Sequence, residues 1–147
     1  MKIVRSKKKF SEPSLKHINN ILSNIRLFLL NNKIAKQMCN DMGFDRNILY
    51  GISISFSDDL DVAAKTINSN IILNIELYDE DFSVIMRYVI HELAHAFQHM
   101  KRADSDDPYK DLDYLDRPDE IEAFQYQIEF DEKYGLGEGT IEYVEDL

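Results

Sequence analysis

The chain has 147 residues, 44% of them hydrophobic and 30% charged, with a formal net charge of −10. That is enough chain for one domain with a real core and too little for two. The acid excess argues against nucleic acid as a partner, because phosphate binding needs a basic surface.

Lys2, Arg5, Lys7, Lys8 and Lys9 form a basic tail over residues 1–10, read as a solvated end. This start runs into Phe10-Ser11-Glu12-Pro13 rather than an apolar core and cleavage site, so no secretory signal is visible. The most apolar early stretch, Ile25 to Leu30, contains Arg26 and is far too short to span a membrane. A lone cysteine, Cys39, excludes a disulfide framework and any multi-cysteine zinc site, and suits a reducing compartment. The expectation is a cytoplasmic protein with no membrane partner.

Pro13, after Ser11 and Glu12, marks a helix start. Leu15, Ile18, Ile21, Leu22, Ile25 and Leu29 then recur at helical spacing and predict an amphipathic helix to about residue 30. Asn31-Asn32 interrupts it, a second helical piece runs from Lys33 to Met42, and Gly43 is a natural stop. The period then changes. Ile52, Ile54 and Phe56 alternate with Ser53, Ser55 and Ser57, Val62 to Ile67 is a weaker strand, and Asn68-Ser69-Asn70 is a turn. Ile71, Leu73, Ile75 and Leu77 alternate again, which predicts a small, mostly antiparallel sheet. Asp79-Glu80-Asp81 favours a helix start, and the next helix should run from Phe82 to about Met100. An acidic loop over 103–117 leads to Pro118, which opens a last helix to about Tyr134, ended by Gly135, Gly137 and Gly139. The class expected is α+β, over a single domain spanning 1–147.

His91-Glu92-Leu93-Ala94-His95 has the HExxH form inside the third helix. Residues four apart share a helix face, so both imidazoles can reach one metal, Zn2+ by this donor set. Glu92 then lies close to a water on that metal and can act as general base. Val89, Ile90, Leu93, Ala94, Ala96 and Phe97 are uncharged around the motif. Two histidines and a carboxylate beside a core are costly unless something satisfies them. His99 drifts off the His91–His95 stripe and reads as a surface or supporting residue.

A catalytic zinc needs a third protein ligand. The elongated HExxHxxGxxH pattern is absent, since Gln98 and Lys101 occupy its later positions, and no histidine follows His99. Cys39 could serve in principle, as in peptide deformylases, but their glycine- and cysteine-containing signature loops are missing and Cys39 lies in a helical-looking stretch. Carboxylates after the motif remain. On the wheel of the last helix, Ile121, Phe124 and Ile128 form one apolar group and Ala123, Phe130 and Tyr134 another. Glu120 and Gln127 fall between these groups, while Glu122 lies with Gln125, Glu129, Glu132 and Lys133 on the polar side. That favours Glu120. Its alternative is a first-turn Glu that complements the helix dipole.

The HELAH helix followed by Pro118-Asp119-Glu120-Ile121-Glu122-Ala123 resembles the gluzincin-type zincin metallopeptidases. It is most similar to compact forms related to the ImmA/IrrE peptidases and to small metallopeptidase-like proteins of phages and mobile elements. The resemblance covers roughly residues 50 to 134. It implies a zincin-like α+β fold, with an N-terminal helical segment, the small sheet, the HExxH active helix and a C-terminal ligand helix. It implies Zn2+ held by His91, His95 and Glu120, with peptide hydrolysis as the activity. The segment Ile71 to Leu77 is similar to the sheet-edge strand along which such enzymes lay an extended protein or peptide substrate. One departure is Phe124, where relatives often carry Asp or Asn.

Tyr109, Tyr114, Tyr126, Arg87 and Arg117 are candidates for stabilising an oxyanion, each with a plain structural alternative. Asp104-Ser105-Asp106 lacks the Gly and terminal Glu of a calcium loop. If the acidic loop rims a cleft, it favours basic substrates. The sequence thus predicts a zinc metallopeptidase; a zincin-fold binding or regulatory module, with structural zinc and negligible turnover, is the rival.

Overall fold

The computed structural model describes residues 14–102 and 111–134. The basic tail, the sequence-predicted start at Pro13, part of the acidic loop and the glycines after Tyr134 lie outside those residues.

Helix α1 spans Leu15–Asn31, and the Ser14 hydroxyl caps it by accepting from the His17 N–H at 3.1 Å. Asn32 is extended and ends it. The same side chain then starts α2, Lys33–Met42, accepting from the N–H groups of Ile34 at 2.9 Å and Ala35 at 3.0 Å. Gly43 closes α2 at φ 77°, a left-handed conformation that costs glycine nothing. Both helices match the periods of the sequence. A 3-10 turn over Arg46–Gly51, absent from the sequence reading, carries Leu49 into the core.

Three strands follow: β1 Ser53–Ser57, β2 Ala64–Ile67 and β3 Asn70–Asn74. The sheet order is β1-β3-β2, so β3 is central. It pairs parallel with β1 and antiparallel with β2. The sheet is therefore mixed, against the mostly antiparallel expectation. The β2–β3 hairpin turns on Asn68 and Ser69, with Asn68 at φ 55°. It folds back so that β3 inserts between its predecessors. The crossing segment is held by Asn74, 1% exposed, whose Nδ2 donates to the carbonyls of Leu60 at 3.1 Å and Val62 at 3.0 Å. Beyond Asn74 the chain leaves the sheet in a 3-10 turn, Ile75–Leu77, because the Asn74 carboxamide oxygen accepts from the Glu76 N–H. The alternation that read as strand to Leu77 thus ends three residues early.

Helix α3 runs Phe82–Arg102 and packs on β2 and β3 with one face and on α4, Pro118–Tyr134, with another. Ile85, Met86, Val89, Leu93, Ala96 and Phe97 are buried, as their spacing predicts. One apolar cluster joins α1, α2, the sheet, α3 and α4. The class is α+β. No helix among the described residues is long and apolar enough to cross a membrane.

On α4 the sequence reading needs correction. Ile121 and Ile128 are exposed, and the buried face is Glu120, Ala123, Phe124, Tyr126, Gln127, Phe130 and Asp131. An apolar residue was assumed to mark the inner face; here polar partners on α3 select it instead.

Candidate metal centre

The facing stripes of α3 and α4 are polar along their length, and the helices run antiparallel. Arg102 pairs with Asp119 at one end and Arg87 with Asp131 at the other, the latter at 3.0 Å and almost fully buried. Between them sit Gln98, His95 and His91 from α3 with Glu122, Glu120 and Phe124 from α4. The named members largely satisfy one another, as a core requires, whereas the buried Gln127 carboxamide on the same face of α4 has no hydrogen-bond partner among the described residues.

Glu120 stands at the middle. Its Oε1 lies 3.1 Å from Nε2 of His91 and 2.9 Å from Nε2 of His95. One carboxylate oxygen thus closes on both imidazoles of HELAH from the opposite helix, where the wheel put it. His91 is 1% exposed and packs edge-on against Phe124, with ring centroids 4.6 Å apart. Phe124 is a wall for the first histidine.

His95 is oriented from its other side. Its Nδ1 is 2.8 Å from Gln98 Oε1. The Gln98 amide nitrogen donates to the Asp119 carbonyl at 3.0 Å and to Glu122 Oε1 at 2.9 Å. The oxygen must therefore face His95, so Nδ1 carries the hydrogen and Nε2 is turned to Glu120. The sequence reading passed over Gln98. Its position three after His95, on the same helix face, was the available signal. Glu122, assigned to the polar side, works through Gln98.

Glu92 is 6% exposed. The Thr66 hydroxyl, from strand β2, lies 2.9 Å from Glu92 Oε1 and 3.0 Å from the Glu92 carbonyl. Nothing in the local sequence around Thr66 points to this contact, which arises only because β2 packs on α3.

The charges are coupled. Burial opposes ionisation of His95, but the Glu120 hydrogen bond and the charges of Glu92 and Glu120 hold its pKa up, to about 9. Burial alone would raise the Glu120 pKa; hydrogen bonds from His91 and His95 outweigh it and keep the carboxyl below the usual carboxylate range. The Tyr114 phenol is pushed up by burial, by the Glu120 charge and by its hydrogen bond to Glu120. Burial also lowers the pKa of His99, whose ring stacks 6.4 Å from that of His95.

Of the oxyanion candidates, Tyr114 and Arg117 are at the site. Tyr126 is spent on Asp41 at 2.7 Å, Arg87 on Asp131, and Tyr109 lies outside the described residues. Cys39 is buried in the core on α2. The strand assigned as a substrate edge, 71–77, is not one: β3 is paired on both sides. The sheet edge beside Glu92 is β2.

His91, Glu92 and His95 bring ligand atoms within 4.8 Å of one another, a group that could hold a metal ion. Glu120 is not in that group, but its Oε1 lies within 3.1 Å of Nε2 of both imidazoles. Two donors on a tetrahedral zinc sit about 3.3 Å apart, and the separations of 3.1 and 2.9 Å from Glu120 come close to that. Glu92 is drawn toward Thr66 instead. No family model, curated protein or solved structure matches the chain.

Proposed function

We propose that the chain is a zinc-dependent metallopeptidase of zincin type, with His91, His95 and Glu120 as the metal ligands and Glu92 as the general base. The observation that carries this reading is the single Glu120 oxygen within 3.1 Å of both HELAH imidazoles. Bound zinc supplies a water acidified toward neutrality and polarises a carbonyl placed against it.

The chain's own residues supply the rest. Glu92 accepts the proton of the attacking water and returns it to the departing amine nitrogen. Thr66 fixes the carboxylate that does so. Gln98 keeps His95 in the tautomer that presents Nε2, and Phe124 limits the rotation of His91. An extended substrate chain lies along β2, the edge that adjoins Glu92 and bears no strand on its outer side among the described residues.

The test begins with metal analysis of purified protein, which should give one zinc per chain, lost in His95→Ala. Glu92→Gln should keep the zinc and lose peptide hydrolysis by about 100-fold or more. Zinc retained with no hydrolysis by the parent protein over a broad peptide library would leave a metal-stabilised binding module.

A further inference from the structure

The face built by α1, the 3-10 turn Arg46–Gly51 and β1 is set apart by its charge. The chain has 27 acidic residues, yet none falls within these three elements, which carry Lys16, Arg26 and Arg46. Asp45, just before the turn, is engaged in capping it, accepting from the Asn47 N–H at 2.9 Å. In a chain of net charge −10 this face attracts anions rather than cations.

A groove of about 400 Å³ opens here, within the range of about 300–1,000 Å³ for ligand pockets. Leu29 and Leu30 of α1, Leu49 of the turn and Ile54 of β1 line it. Its rim holds Leu27 and Tyr50, 61% and 68% exposed. Large apolar side chains gathered around an open groove, rather than scattered singly, mark an interaction surface. Arg26 stands on the same rim, exposed, with no hydrogen bond, ion pair or ring contact among the described residues.

The groove adjoins an open sheet edge. β1 pairs with β3 on one side, and among the described residues its other edge makes no backbone hydrogen bond. The Ser53 N–H donates to the Ser69 carbonyl, toward β3, so Ile54 and Phe56 turn their backbone groups to the outer edge. Ser53-Ile54-Ser55-Phe56-Ser57 carries none of the charges or prolines that keep such edges from pairing. An edge of this kind accepts an added strand, whose main chain supplies affinity while adjoining pockets select its side chains.

We propose that α1, the turn and β1 form a docking site for an extended segment of a partner protein. The segment adds to β1, seats an apolar side chain in the groove and sets a carboxylate on Arg26, so the partner is acidic around an apolar anchor. β1 and β2 are opposite edges of one sheet. The site is therefore separate from the cavity at Glu92 and depends on neither metal nor peptidase activity.

The experiment titrates the full chain by calorimetry with end-capped peptides holding one central Leu, flanked by Glu, by Gln or by Lys. A fourth set repeats the Glu peptides with alternate backbone nitrogens methylated, which removes the donors an added strand needs. The Glu set should bind about tenfold tighter than the Gln set, with the Lys set weakest. That preference should fall as salt is raised, and the methylated set should lose binding. Arg26→Gln should remove the preference for Glu, and Leu27→Ser should weaken the Glu and Gln sets alike. Both positions are exposed, so thermal unfolding should match the parent chain. Bound peptide should slow amide hydrogen exchange at Ile54 and Phe56.

Equal binding of the Glu and Gln sets, a preference that survives Arg26→Gln, retained binding of the methylated set, or no binding by any set would overturn the proposal. So would self-association abolished by Leu27→Ser, which would make a second copy of the chain the occupant. Binding of decanoate in place of the peptides would overturn it too, and make the groove a fatty-acid site.

Discussion

Thr66 Oγ1 lies 2.9 Å from Glu92 Oε1, joining an edge strand to the carboxylate proposed to move protons. The Thr66 hydroxyl is the described side-chain partner that fixes this carboxylate. Thr66→Val, nearly isosteric, should lower kcat roughly 10–100-fold while zinc content and KM change little. Thr66→Ser should recover most of the loss. A matching fall in zinc affinity would show that the contact serves the metal and not the base.

Gln98 stands in the same relation to His95. Gln98→Leu keeps the volume but removes the acceptor for Nδ1 and both donors to α4. Zinc affinity should fall about 10–100-fold, measured by competition with a chromogenic chelator. An unchanged affinity would mean that packing alone orients the ring.

In the metal-free chain, stability should depend on pH in a defined sense. The folded pKa of His95, raised from 6.5 to about 9, gives a contribution fully present below 6.5 and lost as pH rises through about 9. Glu120 is depressed below 4.5, so its contribution is present above that value and lost on acidification. Urea unfolding with chelator present should therefore show greatest stability between these limits and a loss of roughly 1–3 kcal/mol by pH 9.5. His95→Gln should flatten the alkaline limb. A level profile in the parent chain would refute the coupling.

The Arg87–Asp131 pair is almost wholly buried, with Asp131 at 0% exposure. Removing one partner alone takes the ion pair from a buried charge, so Arg87→Met should cost about 3–5 kcal/mol in chemical denaturation. The double replacement Arg87→Met with Asp131→Leu should recover most of it. Equal losses in the single and double variants would show that the pair contributes only its packing.

Local signals were legible. Asn32 and Gly43 end their helices through groups within four residues, and HELAH declares its spacing without help from the fold. The wheel put Glu120 on the inner face of α4, where it is buried, although Ile121 and Ile128, grouped by the same wheel as apolar positions, are exposed. What needed the fold was pairing across distance. The insertion of β3 between β1 and β2 is decided by a hairpin and by Asn74 reaching back to Leu60 and Val62, which no strand period encodes. Nothing near Asp131 in the sequence marks it as buried, because its partner, Arg87, is 44 positions away. Thr66 carries no motif at all.

The seam between α3 and α4 acts as a register lock. Sliding α4 by one residue shifts it 1.5 Å and turns it about 100°, which would unseat Arg102–Asp119, Gln98–Glu122, both Glu120 contacts and Arg87–Asp131 together. The two helices therefore have one deep setting rather than a range, and the distance between His95 and Glu120 is held by ion pairs that flank it on both sides along α3 and α4.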